Sequence, residues 1–262
     1  MGTANRWLAW LAPLSLLAFL FLVWLIASGS TSALFLPSPR DFFARAADLF
    51  GTRWFWNRTA ITFGEALLGS LVGAAVAIPT SWLIHRSRFV NAALQPFLGA
   101  TQAIPAVALA PLLVLWVGRG LGAIVLLCAL MVFFPILVAT TVGLRHLDQD
   151  VIDAASLDGA HGLRMIISIE APLVAPSLLG GIRNGFTLSV TGAVIGEMVM
   201  GGAGLGQLLS QQQHNLDTAG MFVTVAVLCA LAMVAYSAVY LLERRGKRLV
   251  GNSRERRGSR NA

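Results

Sequence analysis

Lysine is almost missing from this chain, and so is most of the charge that a soluble surface needs. Only 12% of the 262 residues are charged, where a soluble domain carries about 25%. Lipid must replace water over much of this surface, since 56% of the residues are hydrophobic and the mean hydropathy is +0.74. The single lysine, Lys247, follows Arg-Arg-Gly and precedes Arg. No GxxxxGK[ST] phosphate loop runs through it, so ATP is not bound in that way. Both cysteines, Cys128 and Cys229, lie inside apolar runs and read as buried, inert thiols. His85, His146, His161 and His214 are scattered without ligand spacing, which predicts no metal site and no metal or other cofactor in this chain. No Ser–His arrangement or His/Asp/Glu cluster is present either, so an intramembrane enzyme ranks last among the functions.

What the chain has in quantity is apolar runs. A bilayer-crossing helix needs about 20 predominantly apolar residues, and six stretches qualify: Leu8–Ser28, Thr59–Ile84, Leu94–Val117, Leu121–Leu144, Leu173–Met200 and Gly220–Leu242. The first is too long, and too poor in small-residue cleavage sites, for a removed signal peptide. Nineteen basic against twelve acidic residues give +7, and eight of the basic ones fall in the last nineteen residues. A basic tail beside a membrane helix reads as topology and contact with anionic lipid, not as a nucleic-acid site. With the N-terminus in the cytoplasm, Arg6, Arg86, Arg88, Arg145, Arg164 and the tail lie inside. Arg40, Arg45, Arg53, Arg58 and Arg119 lie outside, thirteen basic residues against five. Both termini are therefore expected in the cytoplasm of a multi-pass membrane protein.

Three regions follow: residues 1–58, a first helix and an external segment; residues 59–242, a five-helix core with a cytoplasmic loop over 145–172; and the basic tail 243–262. In the external segment, Leu36-Pro37-Ser38-Pro39 precedes apolar residues at helical spacing from Asp41 to Phe55, which predicts an amphipathic surface helix. It could pack on the bundle or meet a receptor. Glycines four apart (Gly69 and Gly73, Gly118 and Gly122, Gly181 and Gly185, Gly192 and Gly196) predict close helix packing. Pro79, Pro105, Pro111, Pro135 and Pro176 are expected to kink or interrupt helices.

The loop between the fourth and fifth apolar stretches carries most information. Asp148, Asp150, Asp153 and Asp158 mark a short helix with an apolar patch of Val151, Ile152, Ala155 and Leu157. Gly159 supplies a turn that needs no Cβ. A second apolar segment, Leu163 to Ile169, follows, and Pro172 opens the fifth stretch. Two short helices at a corner would make a rigid knob able to pass force to a soluble partner.

This loop resembles that of the permease subunits of bacterial ABC importers, whose pattern is Glu-Ala-Ala, three residues, Gly, nine residues, Ile, one residue, Leu, Pro. Asp153, Ala154, Ala155, Gly159, Ile169 and Pro172 fall at those spacings, with Asp153 in place of Glu and Ala171 in place of Leu. Leu36-Pro37-Ser38-Pro39, Ala103-Ile104-Pro105, Ala110-Pro111, Trp116 to Gly120, Phe134-Pro135, Gly181-Ile182-Arg183, Gly196-Glu197 and Gly204-Leu205-Gly206 are similar to the nitrate, sulfonate and taurine branch. The resemblance implies an all-α integral membrane protein with six transmembrane helices in the type I importer (MetI-like) fold. It implies a homodimer of permeases, two cytoplasmic ATPase subunits that bind ATP and Mg, and an external solute-binding protein. The Asp153–Pro172 segment would couple to the ATPase. The solute would be a nitrate-, sulfonate- or taurine-like anion, or a thiamine-precursor pyrimidine or riboflavin-like compound. The run Asn184 to Glu197 resembles the second set slightly more.

Charges inside a membrane span cost about 2.5–3.5 kcal/mol on insertion scales. Arg183 and Glu197 lie fourteen residues apart, within about 40° of one helix face. Asn184, Thr187 and Thr191 form a polar stripe at i, i+3 and i+7 on the same helix. These five residues are the candidates for a translocation path; pairing with another helix or subunit is the competing reading for the two charges, and Glu65 shares that ambiguity. A secondary transporter or channel without an ATPase is the functional alternative, disfavoured by the knob and by the scarcity of intramembrane carboxylates.

Overall fold

The computed structural model describes residues 4–32, 34–100 and 105–258, all of it helix and connecting turn. Helix α1 (Ala4–Ser30) leads to α2 (Pro39–Phe50), which Ser38 caps by accepting from the Asp41 amide at 3.2 Å, with Pro39 at the first helical position. The Trp24 indole donates to the Pro37 carbonyl at 3.1 Å and its ring meets Phe42 edge-on, tying α1 to α2. The buried face of α2 is Pro39, Ala46 and Leu49. The amphipathic helix thus stops at Phe50, and Trp54 and Phe55 already belong to α3 (Arg53–Arg86).

Next come α4 (Arg88–Ala100), α5 (Ala106–Val117), α6 (Leu121–Arg145) and the short α7 (Gln149–Leu157). One helical run of 40 residues then extends over Gly162–Gly201. It consists of α8 (Gly162–Met165), a π turn (Ile166–Glu170), α9 (Ala171–Gly196) and a second π turn (Glu197–Gly201). Last are α10 (Leu205–His214) and α11 (Thr218–Gly258).

Helix α6 is the axis of the bundle, and glycines bring its neighbours close. A Cβ on Gly69 or Gly73 of α3 would collide with Cys128 or the Ala129 carbonyl of α6. On α9, a Cβ at Gly181, Gly185, Gly192 or Gly196 would crowd Ile136, Val132, Cys128 or Ile124 in turn, one turn of α6 after another. Van der Waals contact between backbones replaces the hydrophobic drive that lipid removes. The Gly118 and Gly122 pair is different: it lies at the α5–α6 turn, where Gly118 has φ +86° and neither glycine meets a close neighbour.

The expectation of six transmembrane helices is corrected. Among the described residues four helices are long and apolar enough to cross a bilayer: Arg53–Arg86, Leu121–Arg145, Gly162–Gly201 and Thr218–Leu241. The expected third span, Leu94–Val117, is divided between α4 and α5, with Pro105 at the N-cap of α5. Twelve residues of α5 reach about 18 Å, against a hydrocarbon core of about 30 Å. Val90 and Leu94 of α4 pack beside Ile84, whereas Ala110 and Leu113 of α5 pack with Ile124, Met200 and Leu205 at the other end of the bundle. The expected first span lies in α1, where the described apolar stretch, Leu14–Ser30, is shorter than 18 residues. The fifth begins ten residues before Pro172, because the π turn carries the helix through the missing proline N–H; the Ala171 amide bonds the Ile166 carbonyl instead. Helices likewise run on through Pro79, Pro111, Pro135 and Pro176.

Candidate functional site

At one end of the bundle, α7 stands out from the long helices. Asp148 caps its start by accepting from the Asp150 amide at 3.0 Å. Its end is a Schellman turn: the Ala160 amide bonds the Ala155 carbonyl at 3.0 Å, and the Gly159 amide bonds Ser156 at 3.1 Å. Gly159 holds φ +83°, so the Ala155–Gly159 spacing is that of a carbonyl and the left-handed residue that closes on it. Asp153 and Ala154 are exposed and Ala155 is half-buried. Ile169 is half-buried in the π turn and Pro172 is exposed at the first turn of α9. Apolar Val151, Leu157, Leu163 and Ile167 are exposed here, Leu157 at 89%. Met165 is buried, and Trp82, Leu144 and Val174 cluster beneath with Leu147, Ile166 and Ala171 around them.

Behind this knob lies an arrangement that the sequence reading missed. Glu170, 2% exposed, accepts from the Trp82 indole at 2.9 Å and from Arg86 at 2.6 Å. The clamp joins the end of α3 to the π turn below α9. An acid inside an apolar run was its only signal in the sequence.

At the opposite end, Glu197 is fully buried. One carboxylate oxygen accepts from the Thr62 hydroxyl at 2.6 Å; the other accepts from the amides of Gly206 at 2.6 Å and Gln207 at 3.3 Å. It therefore caps α10, aided by the partial positive charge of that helix's N-terminus. Thr62 in turn accepts from the Leu205 amide at 2.8 Å. Cβ atoms at Gly204 or Gly206 would strike Glu197, Thr62 or the Val194 carbonyl, so Gly204-Leu205-Gly206 is the wrapping around this carboxylate. Glu65, also buried, lies one turn along α3 from Thr62.

The five proposed path residues do not all meet. Asn184 and Thr191 are exposed, and Thr187 is half-buried, its hydroxyl turned to the Arg183 carbonyl at 3.0 Å. Arg183 faces α11: Nη1 donates to the Tyr236 hydroxyl at 3.2 Å, and the guanidinium carbon lies 5.1 and 5.3 Å from the Tyr236 and Tyr240 ring centroids. Glu197 is withdrawn from these four, because at its level the same helix is covered by α3 and the start of α10. A cavity of about 280 Å³ is lined by Gly180, Arg183, Asn184, Thr187 and Tyr236. Cys229 lies exposed on α11, unlike buried Cys128, so only one of the two thiols is a core residue.

Comparison with known proteins gives the same outline. The family model for binding-protein-dependent transport system inner membrane components matches residues 69–248. The riboflavin transport system permease protein RibX of Chloroflexus aurantiacus is 38% identical, with 81% of this chain and 79% of that one covered. The formylaminopyrimidine transport permease protein ThiX of Halalkalibacterium halodurans is 30% identical, covering 89% and 93%. The aliphatic sulfonates transport permease protein SsuC of Escherichia coli, itself a putative assignment, is 28% identical, covering 92% of each. Among solved structures, an inward-facing MetNI methionine ABC transporter chain superposes with a TM-score of 0.65 at 18% identity, over 73% of this chain and 95% of that one. That likeness fixes the fold as MetI-like.

Proposed function

This chain belongs to the family of binding-protein-dependent transport system inner membrane components, and from that premise we propose how its parts divide the work. It is the membrane permease subunit of an ABC importer, a multi-pass protein that moves a small solute while a partner subunit hydrolyses ATP. It supplies no bond-breaking chemistry of its own.

The coupling surface is the knob of α7 with the first turns of the long helix, carrying Asp153, Ala154, Ala155, Gly159, Ile169 and Pro172. One observation carries this assignment: Val151 and Leu157 expose apolar surface on a nine-residue helix too short to span a bilayer, Leu163 and Ile167 expose more at the start of the long helix that follows, and a Schellman turn and the Glu170 clamp fasten the two. Such a patch fits a protein partner. The knob and both termini lie in the cytoplasm by the arginine distribution, with α2 and α10 on the far side. Two copies of the chain, two ATPase subunits and an external solute-binding protein form the transporter. Residues 59–242 are its core, residues 1–58 an added helix and surface segment, and residues 243–262 a lipid-facing basic tail.

The path runs along Arg183, Asn184, Thr187 and Thr191, with Glu197 supporting the helix from behind. The solute is a planar heterocycle of the riboflavin or pyrimidine kind, supported by the relatives at 38% and 30% identity, named for riboflavin and formylaminopyrimidine. The test of the coupling assignment is Gly159→Asp, which places a side chain at φ +83° and a charge beside the apolar patch. The variant should fold but retain the ATPase poorly, or hydrolyse ATP without uptake; normal uptake would remove the knob from its role.

A further inference from the structure

We infer that Arg88, Phe89 and Arg145 form a docking site for an acidic phospholipid, whose phosphate sits between two helix ends at the cytoplasmic surface of the bilayer. The inference takes its side of the membrane from the orientation proposed above.

Helix α3 ends where Ser87 turns extended, and α4 starts at the next residue. Val90 and Leu94 pack against the buried cluster of Ala77, Ile84 and Ile136. That fastens α4 to the bundle and leaves Arg88 and Phe89 exposed, Phe89 at 83%. Arg88 lies one turn from Asn91 on α4, and Asn91 accepts from Nη2 of Arg145 at 2.7 Å. Arginines from two helices thus flank one amide side chain. Neither Arg88 nor Arg145 pairs with a carboxylate among the described residues. Glu170, the buried acid at this end, is already held by Trp82 and Arg86. The depth fits a lipid headgroup. Helix α6 has 25 residues and is about 37 Å long. That exceeds a hydrocarbon core of about 30 Å but not a bilayer of about 40–45 Å with its headgroups, so Arg145, its last residue, falls in the headgroup layer. One turn further in on the same face, Val142 is exposed. The surface changes there from apolar to cationic.

The chemistry of this surface selects its occupant. A guanidinium presents a fixed fork of donors that matches two phosphate oxygens, and a second fork holds the same phosphodiester from the other side. Basic surfaces at the cytoplasmic ends of membrane helices take acidic headgroups in this way. A zwitterionic headgroup would bring its own cation against two uncompensated charges, so the acidic one is preferred. Exposed Phe89 and Val142 supply an apolar flank for the acyl chains, as an interfacial helix does. A free phosphate ester would leave that flank in water. The ATPase has its own proposed surface on the α7 knob, which begins beyond Arg145 in the chain.

The experiment is photo-crosslinking of the permease–ATPase complex in phosphatidylcholine nanodiscs, with a trace of phosphatidylglycerol carrying a photoreactive acyl chain and a matching phosphatidylcholine probe as control. Mass spectrometry of the peptides containing Phe89 and Val142 reads the labelling. The phosphatidylglycerol probe should label both in preference to the control. Arg88→Gln and Arg145→Gln should each lower that labelling about fivefold. The double variant Arg88→Lys/Arg145→Lys, which keeps both charges, should retain most of it. Equal labelling by the two probes, or labelling unchanged when both arginines become glutamine, would overturn the inference. So would competition by water-soluble glycerol 3-phosphate, which would make this a site for a free phosphate ester. Labelling seen only after the ATPase is removed would give the surface to that protein, and a disulfide joining two copies of an Ala92→Cys variant would give it to a second permease. An impermeant thiol reagent that reaches Ala92→Cys only from outside the cell would overturn the orientation, and with it the cytoplasmic placement of this site.

Discussion

Replacing Glu197 separates a structural carboxylate from one in the solute path. In Glu197→Ala the Gly206 amide, fully enclosed and bonded at 2.6 Å, loses its acceptor, and the weaker Gln207 bond at 3.3 Å is lost too. The Thr62 hydroxyl suffers less, because the Arg58 carbonyl at 3.3 Å can take it. A buried donor left without a partner costs about 1–3 kcal/mol, and the emptied side-chain volume adds a cavity term. The total is about 3 kcal/mol. Glu197→Gln keeps one carbonyl oxygen for the two amides and turns its NH2 to Thr62, so its cost is about 1 kcal/mol. At about 2–4 °C per kcal/mol for a chain near this size, thermal unfolding in detergent should fall by about 6–12 °C for alanine and about 2–4 °C for glutamine. Uptake should follow stability in both. If Glu197→Ala unfolds with the wild type yet transports nothing, Glu197 faces the path and the reasoning fails. Equal losses in the two variants would refute the hydrogen-bond account.

Further outcomes follow from packing and charge. Gly192→Leu should cost about 1–3 kcal/mol or more by overpacking, since even a Cβ there lies 3.2 Å from Met131 and 3.3 Å from Cys128. Gly122→Ala, whose nearest neighbour is 3.8 Å away, should be tolerated; thermal scans of both variants check the pair. The Arg45–Asp217 bridge joins α2 to the start of α11 at 2.6 Å, but its arginine is 40% exposed. Arg45→Ala should therefore cost under about 1 kcal/mol. Asp217→Ala should cost more, about 1 kcal/mol beyond that, because Asp217 also accepts from the Gly220 amide at 2.9 Å as a helix cap. Equal unfolding shifts for the two would contradict the cap.

The sequence carried the knob, the family and the helix-packing glycines, and for physical reasons. Gly159 and Ala155 are joined by a local turn whose spacing the backbone dictates. Gly69, Gly73, Gly181 and Gly185 recur at one turn because each meets the same neighbouring helix, α6. Span counting failed where hydropathy hides chain geometry: Leu94–Val117 is apolar throughout, yet Pro105 starts a new helix within it. Networks closed by distant residues were invisible. Glu197 reads as one more polar residue of a path until Thr62 and Gly206 surround it. Glu170 drew no notice, because its partners, Trp82 and Arg86, lie more than eighty positions away.

That second network makes a specific claim about how the knob's base is held. Glu170 is 2% exposed while Arg86 is 45% exposed, so the two partners are not equivalent. Arg86→Ala leaves a buried carboxylate with only the Trp82 indole for support, which is costly when a buried pair is broken, toward the lower end of about 3–5 kcal/mol given the exposed arginine. Glu170→Gln removes the charge but keeps an acceptor for the indole, and its exposed arginine turns to water, at about 1 kcal/mol. The double variant has no buried charge to leave unpaired. It should be clearly more stable than the sum of the two losses predicts, by more than the roughly 0.5 kcal/mol within which independent sites add. Strict additivity would show that the bridge contributes nothing. Because the clamp links α3 to the helix that carries part of the proposed coupling surface, Arg86→Ala should also lower uptake per ATP hydrolysed at temperatures where the variant remains folded. Unchanged uptake per ATP would confine the clamp to a purely local role in stability.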